Sequence, residues 1–205
     1  GGMTAMIDPF FHYHKPLKQL EYPLERGKER YLNNGIIQNF DYDAAITGTS
    51  MMQNFKTSQF DDLFGTHSVK VTLTGDTYWA IDEEIRTIFD NKSDIKYIFR
   101  CLDYNKIFDD KSDYNYDNVP TYLYDNNIWN DVQYLFNKDI FIDNTLGVIK
   151  YTLHGEKTPS MDEYSSWAAD YPVGTDYVLQ TYSVPTKIEK QKTFSEDDAT
   201  TVRHT

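Results

Sequence analysis

Three short stretches of the chain have the apolar, β-branched pattern of buried strands. Each stretch is followed by a glycine or an aspartate, as at the end of a strand that runs into a loop. The three stretches are residues 44–47 before Gly48, residues 69–74 before Gly75 and residues 95–102 before Asp103. Near-continuous apolar runs of this length are typical of parallel strands that are buried on both faces.

Segments with helical spacing separate these strands. Residues 57–64 end at Gly65, a typical helix stop, and residues 77–90 place their large apolar side chains close to one face. This alternation predicts an α/β fold, a three-layer, doubly wound parallel sheet with residues 44–47 as the central strand. Ligands of such sheets bind beyond the carboxyl ends of the strands. Those ends are Ser50, Gly75 and Asp103.

The first 40 residues lack this periodicity and carry three prolines between residues 6 and 24. We expect an extended arm there, with a short helix over residues 26–34 that stops at Asn34-Gly35. Gly1-Gly2 before Met3 indicates a cloning scar. Residues 41–205 are then the α/β domain.

The second half of the chain is less regular. It predicts helices over residues 128–136 and 139–153, a further candidate helix over residues 161–169, and a loop over residues 171–186. Residues 194–198 open a helix with a serine cap, but too little chain follows for a return to a strand. We therefore expect the domain to be incomplete at its C-terminus.

A sheet of only three strands would leave an apolar edge. We expect that edge either to pair with another chain or to be shielded by the helices of residues 128–169.

Charge and cysteine content narrow the function classes. The 205 residues carry a formal net charge of −12, which disfavours nucleic-acid binding, and the basic residues between positions 15 and 30 are interrupted by glutamates. Cys101 is the single cysteine, so no internal disulfide can form, and its apolar surroundings predict a core position. No run of 18 apolar residues exists, so we expect no transmembrane helix in this chain.

Two further groups of residues could bind a ligand, a metal ion in one case and a sugar in the other. Residues 113–118 resemble a calcium loop, but an EF-hand needs glycine and glutamate where this chain has Asn118 and Tyr124, so no metal site is expected. Aromatic residues beyond the third strand could stack on sugar rings, although packing of a large loop is favoured. These aromatic residues are Tyr104, Tyr114, Tyr116, Tyr122, Tyr124, Trp129 and Tyr134.

Ser50 is the first candidate for chemistry. It follows a predicted parallel strand in the block Gly48-Thr49-Ser50 and precedes a predicted helix, whose first backbone N–H groups could hold an oxyanion. The pattern alone favours a plain N-cap serine over a nucleophile.

A resemblance to a known family favours the nucleophile over the N-cap serine. Residues 42–56, which contain the Gly48-Thr49-Ser50 block, and residues 60–65 resemble a membrane-anchored, extracytoplasmic branch of the SGNH (GDSL-like) hydrolase superfamily. In that branch the usual Gly-Asp-Ser block is written Gly-Thr-Ser or Gly-Ser-Ser. Further segments resemble the same branch, so the resemblance covers most of the chain. They are residues 7–11, 102–104, 122–126, 129–131 and 134–135.

The resemblance implies a site for acyl transfer or ester hydrolysis. Ser50 matches the nucleophile, and Gly75 matches the second block, whose backbone N–H helps to hold the oxyanion. The third block usually supplies an asparagine side chain, but here it falls at Asp103, with Asn105 nearby. A carboxylate cannot donate to an oxyanion unless it is protonated. This departure weakens the expectation of ordinary hydrolase activity.

The general base is a second departure from the family pattern. The family's Asp-x-x-His block is absent from this sequence, and none of the five histidines lies in such a block. They are His12, His14, His67, His154 and His204. A serine without a base is a weak nucleophile. We therefore expect this chain to be the N-terminal part of a longer protein that supplies the base.

The resemblance implies a cell-surface esterase or O-acyltransferase that acts on a saccharide or cell-wall polymer, outside the cytoplasm and held by a membrane anchor absent from this chain. The alternative is a catalytically inactive module of the same fold that binds a surface glycan or a partner protein. An α/β domain of unrelated function, with Ser50 as a cap, is a third interpretation. No cofactor is expected, and the sequence leaves the oligomeric state and the acyl group open.

Overall fold

A three-stranded parallel sheet lies at the centre of the computed structural model, which describes residues 1–106, 108, 120–124, 127 and 129–167. Its strands are β1 (Ala44–Gly48), β2 (Ser68–Thr72) and β3 (Tyr97–Arg100), in the order β2-β1-β3. Both neighbours pair with β1 in parallel, so that Ala45 lies opposite Val69 and Ile98. The predicted α/β class, with three parallel strands and the first one central, is confirmed.

The strands differ in burial. Every residue of β1 and β2 is buried, as the apolar runs predicted. The edge strand β3 is more open, because Tyr97 and Phe99 keep 46% and 40% of their surface exposed. The expectation that a sheet edge pairs with another chain remains a prediction.

Six α-helices occur among the described residues. Helices α3 and α4 confirm their predicted positions: Gly65 ends α3 in the left-handed conformation, and the Thr77 side chain caps α4 by accepting a hydrogen bond from the N–H of Ala80. The helices are α1 (Gly2–Ile7), α2 (Glu29–Asn39), α3 (Thr57–Phe64), α4 (Tyr78–Asn91), α5 (Val132–Leu135) and α6 (Leu146–Leu153). Short 3₁₀ turns lie at Ser50–Asn54, Tyr104–Lys106 and Thr121–Leu123, and a π-helical turn at Ile140–Thr145.

The side chains of the sheet divide between two clusters of buried residues, because successive residues of a strand point to opposite faces. Ala45 and Val69 belong to the larger cluster, together with Ile36 of α2 and Ile88 of α4. The smaller cluster contains Ala44, Ile46, Met52 and Phe60. Residues 44–46 thus alternate between the two clusters.

The expected N-terminal arm contributes to the core. Residues 2–7 form α1 rather than extended chain, and Phe10 and Phe11 are almost completely buried. The Asp8 carboxylate, itself fully buried, accepts hydrogen bonds from the Tyr134 hydroxyl at 2.8 Å and from the Tyr13 N–H at 2.6 Å. These contacts hold the arm against α5.

The predicted helix over residues 26–34 was misplaced. Helix α2 spans Glu29–Asn39 and continues through Gly35, the predicted stop. The glycine is needed for a close approach of two backbones, because a Cβ on Gly35 would lie 2.0 Å from the carbonyl oxygen of Phe10. Tertiary packing therefore explains a residue that local propensity assigned to a helix end.

The second half is less helical than expected. Only Val132–Leu135 is α-helical within predicted residues 128–136, and the predicted helix 139–153 is a π-helical turn followed by α6. The candidate helix 161–169 is wrong where it is described, since residues 161–165 form turns. The predicted acidic loop at 109–118, the loop at 171–186 and the helix start at 194–198 lie outside the described residues.

The turn at residues 161–165 contacts β2, whereas the predicted shielding of a sheet edge by helices of residues 128–169 remains a prediction. Asp162 and Tyr164 accept hydrogen bonds from the side chain of Lys70 on β2 through their backbone carbonyls. Among the described residues, no helix is long and apolar enough to cross a membrane.

Replacing Gly35 by alanine tests the close approach of α2 to the arm. We expect Gly35→Ala to lower the free energy of unfolding by roughly 2–4 kcal/mol, because the new methyl group collides with backbone that cannot move independently. The matched control is Gly147→Ala in α6, where a Cβ would meet no atom within 4 Å. There the better helix propensity of alanine should stabilise the protein by about 0.5–1 kcal/mol. Urea unfolding of both variants measures the difference, and equal effects would contradict the close approach.

Candidate functional site

Ser50 lies immediately beyond the carboxyl end of the central strand. Strand β1 ends at Gly48, whose φ of +147° and lack of space exclude a side chain: a Cβ there would lie 2.6 Å from Cγ of Met52 and 3.2 Å from Cβ of Cys101. Ser50 then opens the 3₁₀ turn Ser50–Asn54, which precedes the predicted helix α3. It is half-buried, and within the described part of the chain its hydroxyl makes no hydrogen bond.

The loop after β3 is attached to this turn through Asp103. The Thr49 hydroxyl donates a hydrogen bond to one carboxylate oxygen of Asp103, and the Cys101 thiol lies 3.8 Å from the other. Burial and the neighbouring Asp103 charge raise the pKa of Cys101, which makes this thiol a poor nucleophile. The backbone carbonyl of Asp103 also accepts a hydrogen bond from the Tyr78 hydroxyl at 2.8 Å. Asp103 thus acts as an acceptor here and holds the Ser50 turn in place.

Gly75 lies in the loop after β2, with φ of +68°, a conformation that side chains disfavour. A Cβ at Gly75 would meet nothing within 4 Å, so the backbone angle and not the space requires glycine. Its carbonyl oxygen lies 3.5 Å from Nζ of Lys106. Lys106 belongs to the 3₁₀ turn Tyr104–Lys106, which also contains Asn105.

Side-chain contacts connect all three loops. Thr49 binds Asp103, which joins the ends of β1 and β3. Gln53 in the Ser50 turn donates to the Thr74 hydroxyl at 2.7 Å, which joins the ends of β1 and β2. The structure therefore brings the loops of Ser50, Gly75 and Asp103 to one edge of the sheet.

The described end of the chain covers the Ser50 turn. The indole N–H of Trp167 donates to the carbonyl oxygen of Ser50 at 2.9 Å, and its backbone N–H donates to Oδ1 of Asn54 at 2.9 Å. Sequence reasoning missed this cover, because the contact joins residues far apart in the chain.

A buried lysine of β2 binds the Ser50–Asn54 turn from the side of the sheet. Nζ of Lys70 donates to the carbonyl oxygens of Gln53, Asp162 and Tyr164 at 2.6, 3.0 and 2.8 Å, and the residue is fully buried. Burial lowers the pKa of Lys70 to about 8, and the Asp162 charge opposes that shift. The three carbonyls accept all three ammonium protons, so the charged form is fully hydrogen-bonded.

A cluster of buried polar side chains lies beside the loop after β2. Arg30 forms an ion pair with Asp76, the residue after Gly75. Asn33 donates to Oε1 of Glu84 at 2.8 Å and accepts from the Tyr164 hydroxyl at 2.8 Å. The other carboxyl oxygen of Glu84 is buried and has no hydrogen-bond partner among the described residues, and burial raises the pKa of Glu84 to about 8.

The sequence contained a signal for this cluster. Glu84 lies three residues after Ile81 and four before Ile88, on the face of α4 that points to the core. A carboxyl group at such a position must be buried, which the apolar pattern alone does not explain.

The described histidines do not provide a base for Ser50. His67 precedes β2 and therefore lies at the opposite edge of the sheet, where its backbone N–H donates a hydrogen bond to the Asp43 carboxylate at 2.7 Å. His12 binds Asp131 at 3.2 Å, and His154 follows α6. His204 lies outside the described residues. In the described ranges, no group of three or more histidine, cysteine or acidic residues could hold a metal ion.

Comparisons with protein-family models, with curated proteins and with solved structures gave no significant match.

Glu84 predicts a pH dependence of stability. In the unfolded chain a glutamate loses its proton near pH 4.5, whereas folded Glu84 keeps it to about pH 8. The folded state then binds more protons in this interval, so this group lowers stability as the pH rises from 4.5 towards 8. Glu84→Gln should remove this pH-dependent loss of stability. The free energy of unfolding of the variant, relative to that of the natural chain, should therefore rise between pH 5 and pH 8.

Chemical denaturation at several pH values measures the effect. Glu83→Gln on the exposed side of α4 is the control, and its stability relative to the natural chain should stay nearly constant. A difference between Glu84→Gln and the natural chain that does not change with pH would show that Glu84 is ionised in the folded protein.

Proposed function

We propose that the chain is the N-terminal part of an SGNH-like serine esterase or O-acyltransferase, with Ser50 as its nucleophile. The observation that carries the proposal is the position of Ser50, directly beyond the central parallel strand, with the loops of β2 and β3 bound to its turn. Ligands of open α/β sheets bind at such a convergence of loops.

The proposal includes the three-layer arrangement of that superfamily. Two sets of contacts support it: α2 and α4 pack with one group of sheet residues, and Phe60 of α3 packs with the other. A serine at the carboxyl edge of the sheet then faces a cleft and not a helix layer.

In the proposed reaction, Oγ of Ser50 forms a bond to the acyl carbon of an ester. The carbonyl oxygen becomes an oxyanion, which the backbone N–H of Gly75 would help to hold. The C–O bond to the leaving alcohol breaks, and the Ser50 proton passes through a general base to that alcohol. Water or an acceptor hydroxyl then takes the acyl group from Ser50 and restores the hydroxyl.

The general base comes from outside the described residues in this proposal, since no described histidine is hydrogen-bonded to Ser50. Asp103 orients Thr49 and the turn that carries Ser50, while the donor that the third block normally supplies is not provided by its carboxylate. The saccharide or cell-wall substrate, the membrane anchor and the extracytoplasmic location rest on the resemblance alone.

The second candidate function is a binding module of the same fold without catalysis. It is favoured by Asp103, because this carboxylate accepts hydrogen bonds where an oxyanion donor is expected. Such a module would bind a surface glycan or a partner protein at the same edge of the sheet.

Replacing Ser50 by alanine separates the two functions. In the protein as its gene encodes it, Ser50→Ala should lower hydrolysis of a chromogenic acetyl ester and of an acetylated glycan by roughly a thousandfold or more, because a nucleophile and its base act as a unit. The 205-residue chain alone should hydrolyse the ester no faster than its own Ser50→Ala variant.

The control is Ser93→Ala, which removes an exposed hydroxyl in the loop before β3 and should leave the rate unchanged. Activity that survives Ser50→Ala would remove Ser50 from the reaction, and a natural protein without activity would favour the binding module.

A further inference from the structure

A cavity of about 340 Å³ lies between α2, α4 and the 3₁₀ turn Thr121–Leu123. Its volume is within the range of small-molecule sites. Buried Leu73, Ala80 and Glu84 are among its lining residues, and exposed polar residues of α4 also line it. The cavity is formed by different side chains from those that surround Ser50.

The charges that line this cavity nearly cancel. Arg86 is positive, Glu83 and Asp90 are negative, and the charge of Arg30 is already paired with Asp76. Glu84 adds no full charge near neutral pH, because burial raises its pKa to about 8. A simple anion therefore finds no surplus of positive charge here, and a simple cation finds a surplus of only one negative charge.

The remaining polar groups suit hydroxyl groups of a ligand. Thr87 already donates its hydroxyl proton to the backbone carbonyl of Glu83, so its oxygen retains capacity to accept, and the Tyr124 hydroxyl donates to the backbone carbonyl of Arg30. The carboxylate of Asp90 accepts, and the guanidinium of Arg86 donates. A hydroxyl both donates and accepts, so a ligand with several neighbouring hydroxyls can use both kinds of group.

The cavity adjoins the loop after β2. Leu73, which lines it, follows β2, and Arg30, which also lines it, is ion-paired with Asp76 next to Gly75. A ligand held there would lie beside the loop that carries Gly75.

We propose that this cavity binds a neutral, hydroxyl-rich ligand, a monosaccharide unit, beside the carboxyl edge of the sheet. The assignment of this unit as part of the substrate acylated or deacylated at Ser50 rests on the proposed function. The binding itself requires only the cavity, so the two can fail separately.

Titration of the isotopically labelled 205-residue chain with three probes, followed by backbone NMR, tests this inference. The probes are glucose, the anion gluconate and the cation glucosamine, which differ in charge but share most of their hydroxyls. We expect saturable shifts of α4 and Tyr124 amides with glucose, and weaker binding of both charged probes. Absence of saturable shifts at these residues, or tighter binding of a charged probe, would overturn the proposal.

Two exposed lining residues provide the variants, so folding is not at risk. Asp90→Ala and Arg86→Ala should each weaken glucose binding by about fivefold or more, the effect of losing a hydrogen bond to a charged group. Asp62→Asn, an exposed change on α3, and Ser50→Ala should bind glucose as the natural chain does. Unchanged binding by both cavity variants would overturn the proposal. Glucose binding by a protein that lacks esterase activity would retain the cavity site and reject the proposed reaction.

Discussion

The close packing at Gly48 is the constraint on which the candidate site depends. Strand β1 is buried along its whole length and paired on both sides, so the chain must leave the sheet sharply at its carboxyl end. A Cβ at Gly48 would collide with Met52 and crowd Cys101, and its φ of +147° favours glycine independently. With this exit, Ser50 opens a turn that packs against β1 and β2, while the backbone carbonyl of Gly48 still accepts a hydrogen bond from the N–H of Leu73.

The surroundings of the Ser50 turn immobilise it through hydrogen bonds rather than through apolar packing alone. Lys70 holds Gln53 from the sheet, Trp167 binds Ser50 from outside, and Asp103 fixes Thr49. Each of these polar groups is buried or half-buried. Removing one partner of such a hydrogen bond leaves the other unsatisfied, which lowers the stability of the fold by about 1–3 kcal/mol. The backbone beside Ser50 is thereby preorganised, as a reaction or a specific binding event requires.

Local patterns were sufficient for the sheet and for the helices that flank it. The apolar runs identified all three strands, and Gly65 and Thr77 marked the end of α3 and the start of α4. Local patterns failed where tertiary contacts determine the structure. Gly35 has the local pattern of a helix stop, but its actual role, the close approach to Phe10, exists only once the arm has folded. The positions of Ser50, Gly75 and Asp103 at strand ends were predictable. The hydrogen bonds of Thr49, Gln53 and Trp167 at these loops depend on tertiary contacts that spacing does not encode.

The most direct test of the account is covalent labelling of the protein as its gene encodes it with a fluorophosphonate, followed by peptide mass spectrometry. Such reagents modify a serine hydroxyl that a neighbouring base has activated. We expect one adduct, on the peptide that contains Ser50, and parallel loss of any esterase activity. Inactivation with the adduct on another residue, or no adduct at all, would contradict the assignment of Ser50 as a nucleophile.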